Sequence, residues 1–337
     1  MKYLVLPILL LVFSCSSKKK QDAISDNCLV RKGVAEIGTN RIKLIIADVN
    51  NCQKKIVTNI HKQVWQVEQD KAIFQEMDET HSLSHEAKDK TLKVMEEVKV
   101  LFATHKVMKP DVVATGVFRD VTNADILFSK IQNLLGVYPR LLSALEEAQI
   151  GVKSFQANEA ILPAEFMLWD IGGNSMQITV RLRGKTRYVL GGPGSQYYKR
   201  LATQILKRRS SPNPVKQINI MKIKNEYRKA AQEYLNNVPT LSPEIAVYGI
   251  GGLHGKSILN IINTYHETKN SYYTHDELRQ LIDDTANLTD GQLGGVYAAN
   301  QVTNAIVVED IMDFLQIKKV NVREIDLTNG ILVFGIN

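Results

Sequence analysis

One pattern occurs twice in this chain. Residues Met167 to Val180 (MLWDIGGNSMQITV) run from an apolar strand into Asp170, then Ile171, the pair Gly172-Gly173, Asn174 and Ser175, and on into a second strand. Val34 to Val49 (VAEIGTNRIKLIIADV) repeats the order: an apolar run ends in Glu36, turns through Gly38, Thr39 and Asn40, and continues as a second strand. Glycine lets backbone N–H groups come close to anionic oxygens, and a carboxylate at a strand tip can hold a cation or its waters. Two acid–glycine hairpins about 130 residues apart predict a duplicated α/β unit whose halves clasp one phosphate ligand.

The intervening segments fit that frame. Lys55–Gln69 continues as strand. Ser84 reads as the N-cap of a helix whose apolar stripe runs from Ala87 to Phe102, ending before Pro110. A strand at 111–115, a helix at 123–135, a strand at 139–143 and a helix at 146–155 complete an α/β layer unit. Pro163 separates it from the second half. There the hairpin is followed by a strand at 188–190, a helix opened by the run Gly191 to Ser195, and a strand at 245–248. That strand enters Gly249-Ile250-Gly251-Gly252, and a helix spans His254–Tyr265. The expected organisation is a signal peptide at 1–14, a linker at 15–27, a first domain at 28–160 and a second at 161–337.

The N-terminal segment reads as an export signal. Met1 and Lys2 precede the apolar run Tyr3–Phe13, too short to span a bilayer. Ser14-Cys15, with Val12 two residues before Ser14, resembles a bacterial lipobox. Lipid-modified Cys15 would then tether the chain, outside the cytoplasm, to a membrane. In an oxidising compartment Cys28 and Cys52 invite a disulfide, and a hairpin folded about Asn40 sets them opposite each other; two unrelated buried thiols are the alternative. The net charge of +7 favours anionic ligands. No basic stripe interleaved with aromatics and no zinc spacing points to nucleic acid. The loop Lys207–Pro214 reads as solvated, His81 and His85 as a solvated turn, and Trp65 and Trp169 as core.

Three glycine turns at strand ends, Gly38, Gly172-Gly173 and Gly249/Gly251/Gly252, are the candidate phosphate loops, because ligands collect at strand carboxyl ends in α/β sheets. Arg119, just after the strand DVVATG, could fork onto phosphate oxygens or pair on the surface with Asp120. Glu146 and Glu147 open a helix, where acids also occur for dipole reasons alone.

Together these blocks resemble the exopolyphosphatase/guanosine pentaphosphate phosphohydrolase (Ppx/GppA) family, a branch of the actin-like ATPase superfamily. The resemblance runs from about Val34 to Phe334 through AEIGTNRIKLIIAD, SLSHEAKDKTL, VVATGVFRDVTNA, SALEEAQIGV, WDIGGNSMQITV and YGIGG. It implies a two-domain actin-like (ribonuclease H-like) α/β fold with an interdomain cleft. It also implies hydrolysis of a terminal phosphoanhydride of polyphosphate or a polyphosphorylated nucleotide. By this likeness Glu147 activates water, Arg119 holds phosphate, and Asp170 and Glu36 hold Mg²⁺ or another divalent cation. Gly38, Thr39, Asn40, Gly172, Gly173, Asn174, Ser175, Gly249, Gly251 and Gly252 cradle the ligand. A homodimer is one assembly open to the chain. Several family positions are altered here: Glu36 replaces an aspartate, Arg41 a small hydroxyl residue, Asn174 a glycine, Gln177 an acid and Leu253 a hydroxyl residue. The family's Arg-Ala-Asp block is not recognisable at Tyr297–Asn300, and Asp326 and Thr328 stand for a glycine and an arginine. These changes imply the alternative of a lipid-anchored binding module without turnover.

Overall fold

A computed structural model describes residues 28–67, 82–159, 162–295 and 297–336. Cys15, the signal-like run and the linker lie outside the described residues.

The duplication is visible in the strand pairing. In the first half β1 (Leu29–Ile37) pairs antiparallel with β2 (Arg41–Asn50) and parallel with β4 (Asp111–Ala114). In the second half β6 (Phe166–Ile171) pairs antiparallel with β7 (Ser175–Leu182) and parallel with β9 (Ala246–Ile250). Each hairpin gains a third antiparallel strand, β3 (Lys55–Gln66) beside β2 and β8 (Lys185–Pro193) beside β7. The sheets are ordered β3-β2-β1-β4-β5 and β10-β11-β9-β6-β7-β8, where β5 is Arg140–Leu141, β10 Tyr272–Thr274 and β11 Lys319–Val322.

Both faces of the first sheet are buried, as the alternation along β2 requires. Ile42, Leu44 and Ile46 face the core shared with helices α1 (His85–Thr104) and α2 (Ala124–Leu135). Ile45, Ala47 and Val49 face the core shared with α3 (Ala144–Asn158). In the second lobe α4 (Ser195–Ile205) and α5 (Gln217–Asn236) cover one sheet face. A wide turn at Leu253–Leu259 leads into α6 (Asn260–Tyr265), and α7 (His275–Thr285), α8 (Asp290–Leu293) and α9 (Ala298–Leu315) follow. Helix α10 (Leu327–Phe334) then returns to the first lobe, placing Leu327, Ile331 and Leu332 against Val34 and Ile45. The second unit read at 161–337 is therefore not self-contained.

Helix α3 joins the lobes. Its Ile150 belongs to the first-lobe core, while Val152 and Phe155 pack on the second sheet, Phe155 lying 5.2 Å from Phe166 and 4.6 Å from Tyr248 between ring centroids. Helix α10 crosses α3 so closely that a Cβ on Gly330 would stand 2.7 Å from the Ile150 carbonyl oxygen.

A disulfide links Cys28 and Cys52, whose Cα atoms are 5.6 Å apart. The register differs by one from a hairpin centred on Asn40. Ile37 pairs with Ile42 and Leu29 with Asn50, so Cys28 falls opposite Asn51, and the Asn51 amide donates to the Cys28 carbonyl at 2.9 Å. The bridge closes one residue later, in the turn after β2.

Candidate active site

The two hairpin turns are built alike. Gly38 N–H donates to the Arg41 carbonyl at 2.9 Å, and Gly172 N–H donates to the Ser175 carbonyl at 2.9 Å. A Cβ at Gly38 or at Gly172 would approach that same carbonyl to 3.1 Å. The amide of Gly251 donates to Ile325 at 3.0 Å. The first two N–H groups close their turns and the third ties its turn to the segment after β11, so these glycines act by shape. Gly251, at φ +81°, brings the third turn against Asp170, and a Cβ there would meet Oδ1 at 2.5 Å.

The turns converge on one interlobe cleft of about 420 Å³. Gly38, Thr39, Asn40, Gly172, Gly173, Asn174, Ser175, Gly251 and Gly252 line it, together with Glu36, Asp170 and Glu147. Gly249 does not. It lies within β9 between Trp169 and Val322, and its missing side chain makes room for the buried His254 ring, whose Cγ a Cβ would approach to 2.6 Å. Gly249 is a packing position, corrected from a phosphate-loop one.

The adjacent acids at 146 and 147 divide their tasks because successive helical residues point about 100° apart. Glu146 closes a capping box, accepting from Ser143 N–H at 2.8 Å while Ser143 Oγ accepts from Glu146 N–H at 3.2 Å. Glu147 turns into the cleft. Arg119, at the end of a short 3₁₀ turn (Gly116–Arg119), donates to Glu147 Oε1 at 2.8 Å, to the Leu142 carbonyl at 2.9 Å and to Ser175 Oγ at 3.1 Å. Gln177 Nε2 donates to the other Glu147 oxygen at 2.8 Å. Burial pushes the Glu147 carboxyl above its ordinary range, further than Arg119 pulls it back.

Two positions that depart from the family, Asn174 and Arg41, reach across the cleft. Asn174 Nδ2 donates to Asp120 at 2.9 Å. Arg41 lies over the Tyr297 ring at 4.8 Å, and its guanidinium uses the space a Cβ on Gly252 would fill. Asp120, an alternative partner for Arg119, is thus engaged by Asn174 instead.

Two charged residues here were given no role from the sequence: Lys43, and Asp326, which stood out only as a departure from the family pattern. Lys43 Nζ lies 2.9 Å from Glu36 Oε2 and 3.9 Å from Asp326 Oδ2. Asp326 caps α10, accepting from Thr328 N–H at 3.0 Å. Burial disfavours the Lys43 ammonium, but Glu36, Asp326 and Asp170 outweigh it and hold the group above its ordinary value. Burial likewise disfavours ionised Asp326, but Lys43 and Lys62 hold it below its usual range. Burial drives Asp170 up to about 7, further than Lys43 draws it down, with Glu147, Glu36 and Asp326 adding repulsion. Lys43 had a signal: it shares a strand face with Ile45, Ala47 and Val49, where a charge needs partners. The loop read as solvated also contributes, since Ser210 and Ser211 line the cleft.

The expected metal pair, Glu36 and Asp170, does not fit a divalent cation. A cation coordinated by Glu36 Oε2 at roughly 2.1 Å would lie within about 5 Å of the Lys43 ammonium, a repulsion of about 7 kcal/mol at an effective dielectric of about 20. Among the described residues, no group of three or more His, Cys, Asp and Glu is placed to hold a metal ion.

Two α/β lobes on duplicated hairpins, with acid-tipped strands facing a shared cleft, define a two-domain actin-like protein. The profile of the Ppx/GppA phosphatase family matches residues 46–335. An exopolyphosphatase from Cytophaga hutchinsonii superposes with a TM-score of 0.76 at 16% identity, covering 91% of this chain and 98% of that one. The Ppx/GppA family member of Aquifex aeolicus gives 0.68 at 18% identity, covering 90% and 97%. Exopolyphosphatase 2 of Mycobacterium tuberculosis (strain H37Rv) is 27% identical over 158 residues, 45% of this chain and 48% of that protein. The chain thus spans about half the length of the curated relatives it matches. It belongs to the Ppx/GppA phosphatase family, whose enzymes generally depend on a divalent cation.

Proposed function

We propose that this chain releases terminal phosphate from inorganic polyphosphate or a related polyphosphorylated substrate. The observation that carries the reading is the contact at 2.8 Å between Arg119, which stands behind the cleft wall, and Glu147, which lines the shared cleft. Each carboxylate oxygen keeps a second lone pair beyond the bond it accepts. Glu147 can therefore still take a proton as water oxygen attacks the terminal phosphorus. The P–O bond to the next phosphate breaks, and the shortened chain leaves with the bridging oxygen. Arg119 and the polar groups of the turns hold the transferred phosphoryl group in line. A raised carboxyl pKa suits a base working near neutrality.

A second reading is a binding module without turnover. Gln177 favours it, because its amide engages the oxygen of Glu147 that Arg119 leaves open. Phosphate release from polyphosphate separates the two. The Glu147→Gln variant should lose about 10²–10⁴ in rate while keeping its affinity. Wild-type protein that binds polyphosphate and releases none would establish the module.

The chain works outside the cytoplasm on a lipid tether at Cys15. The signal-like run supports this, as does the disulfide, since such bonds persist in oxidising compartments. That location favours polyphosphate over a guanine nucleotide made inside cells. Radiolabelled fatty acid should enter the wild type and not Cys15→Ala; an unprocessed cytosolic chain would refute the tether.

A further inference from the structure

The carboxylates of the cleft already have a cation. Lys43 stands directly across from Glu36 in the β1–β2 register, so the sheet itself delivers the ammonium to that carboxylate. The same ammonium reaches Asp326, at the start of α10, and so joins acids from opposite ends of the described chain. The oxygens of Glu147 are engaged by two other donors, Arg119 and Gln177. Gln177 brings an amide, not a charge, to the edge of the cluster. A divalent ion bound by Glu36 would have to displace Lys43 from a cross-strand ion pair. Of Glu36, Glu147, Asp170 and Asp326, only Asp170 accepts no side-chain hydrogen bond, which leaves a single uncommitted carboxylate in the cluster.

We infer that Lys43 supplies the charge a divalent cation would otherwise bring to this cluster, and that the cleft takes its phosphate ligand without Mg²⁺. The inference rests on the proposed phosphate site for its ligand, but the exclusion of metal stands on Lys43 alone. Arg119 and Arg41 are then the fixed cationic counterparts for the anion, and the hydroxyl and amide groups of the turns complete its surroundings.

Full-length protein in detergent, stripped with chelator, would be titrated with Mn²⁺ and followed by electron paramagnetic resonance without phosphate ligand. Binding of short-chain polyphosphate would be measured by calorimetry in EDTA and in Mg²⁺. The wild type should show no saturable Mn²⁺ site, and its polyphosphate affinity should agree within about twofold between the buffers. Lys43→Met should gain a Mn²⁺ site at least about tenfold tighter than any in the wild type, and Lys43→Arg should not. A stoichiometric Mn²⁺ site in the wild type would overturn the inference, as would a polyphosphate affinity about tenfold weaker in EDTA. A folded Lys43→Met that gains no Mn²⁺ site would overturn it too. If Lys43→Met fails to fold, the wild-type and Lys43→Arg titrations decide. If polyphosphate binds in neither buffer, the phosphate site falls, while the Mn²⁺ titration still rules on Lys43.

Discussion

Gln177 reaches from the second lobe to donate its amide to Glu147 in the first, 2.8 Å away. Replacing it by glutamate would set two carboxylates at hydrogen-bond distance, and the pair cannot readily lose both protons. Gln177→Glu should therefore move the rising limb of the pH–rate profile for phosphate release upward by about one unit or more. The check is phosphate release across pH with chelator present. An unmoved limb would mean that Glu147 is not the titrating base.

Asp170 links the cleft to stability. Its folded value of about 7 lies above the ordinary aspartate value of 3.8 because burial disfavours the ionised form. A folded value raised in this way gives stability that is fully present below the unfolded value and lost as pH rises through the folded one. Wild-type stability should thus fall between about pH 4 and pH 7 relative to Asp170→Asn, by on the order of 2–4 kcal/mol. Paired urea denaturations at about pH 4.5, 6 and 8 would show a constant difference between the two proteins if Asp170 is silent.

Gly249 sits where a side chain would strike a histidine. His254 is fully buried, bonded through Nδ1 to the Tyr273 hydroxyl at 2.7 Å, and held neutral because burial lowers it to about 3. Gly249→Ala should cost about 1–3 kcal/mol through overpacking. The double variant with His254→Ala should recover part of the crowding term. Phosphate release per folded molecule should not change in Gly249→Ala, because the position faces away from the cleft; a selective loss of release would return Gly249 to the site.

Much of this architecture was legible because it is local and periodic. The duplicated hairpins follow from the alternation on either side of Gly38 and Gly172, whereas Ser143, read as the end of a strand, is the cap of α3. The cleft lining was legible through strand ends. What the sequence hid depends on distance along the chain. Lys43 and Asp326 meet only because α10 crosses back, and no local pattern announces a partner 283 positions away. Helices α5, α7 and α9 passed unread, although α7 carries a Thr274–Glu277 capping box that its sequence displays. Helix α9 is apolar on nearly all sides and buries Glu309 and Asp310, so it lacks the one-sided stripe by which a surface helix is read. Gly249 resembled a loop glycine because GIGG continues without a break from strand to turn, and only the His254 ring distinguishes its first glycine from the others.

The return of α10 to the first lobe orders events in the life of the chain. Val34, Ile45 and Ile150 keep an open apolar face until residues 327–334 have been made and can cover it. The lobe that leaves the ribosome first therefore matures last.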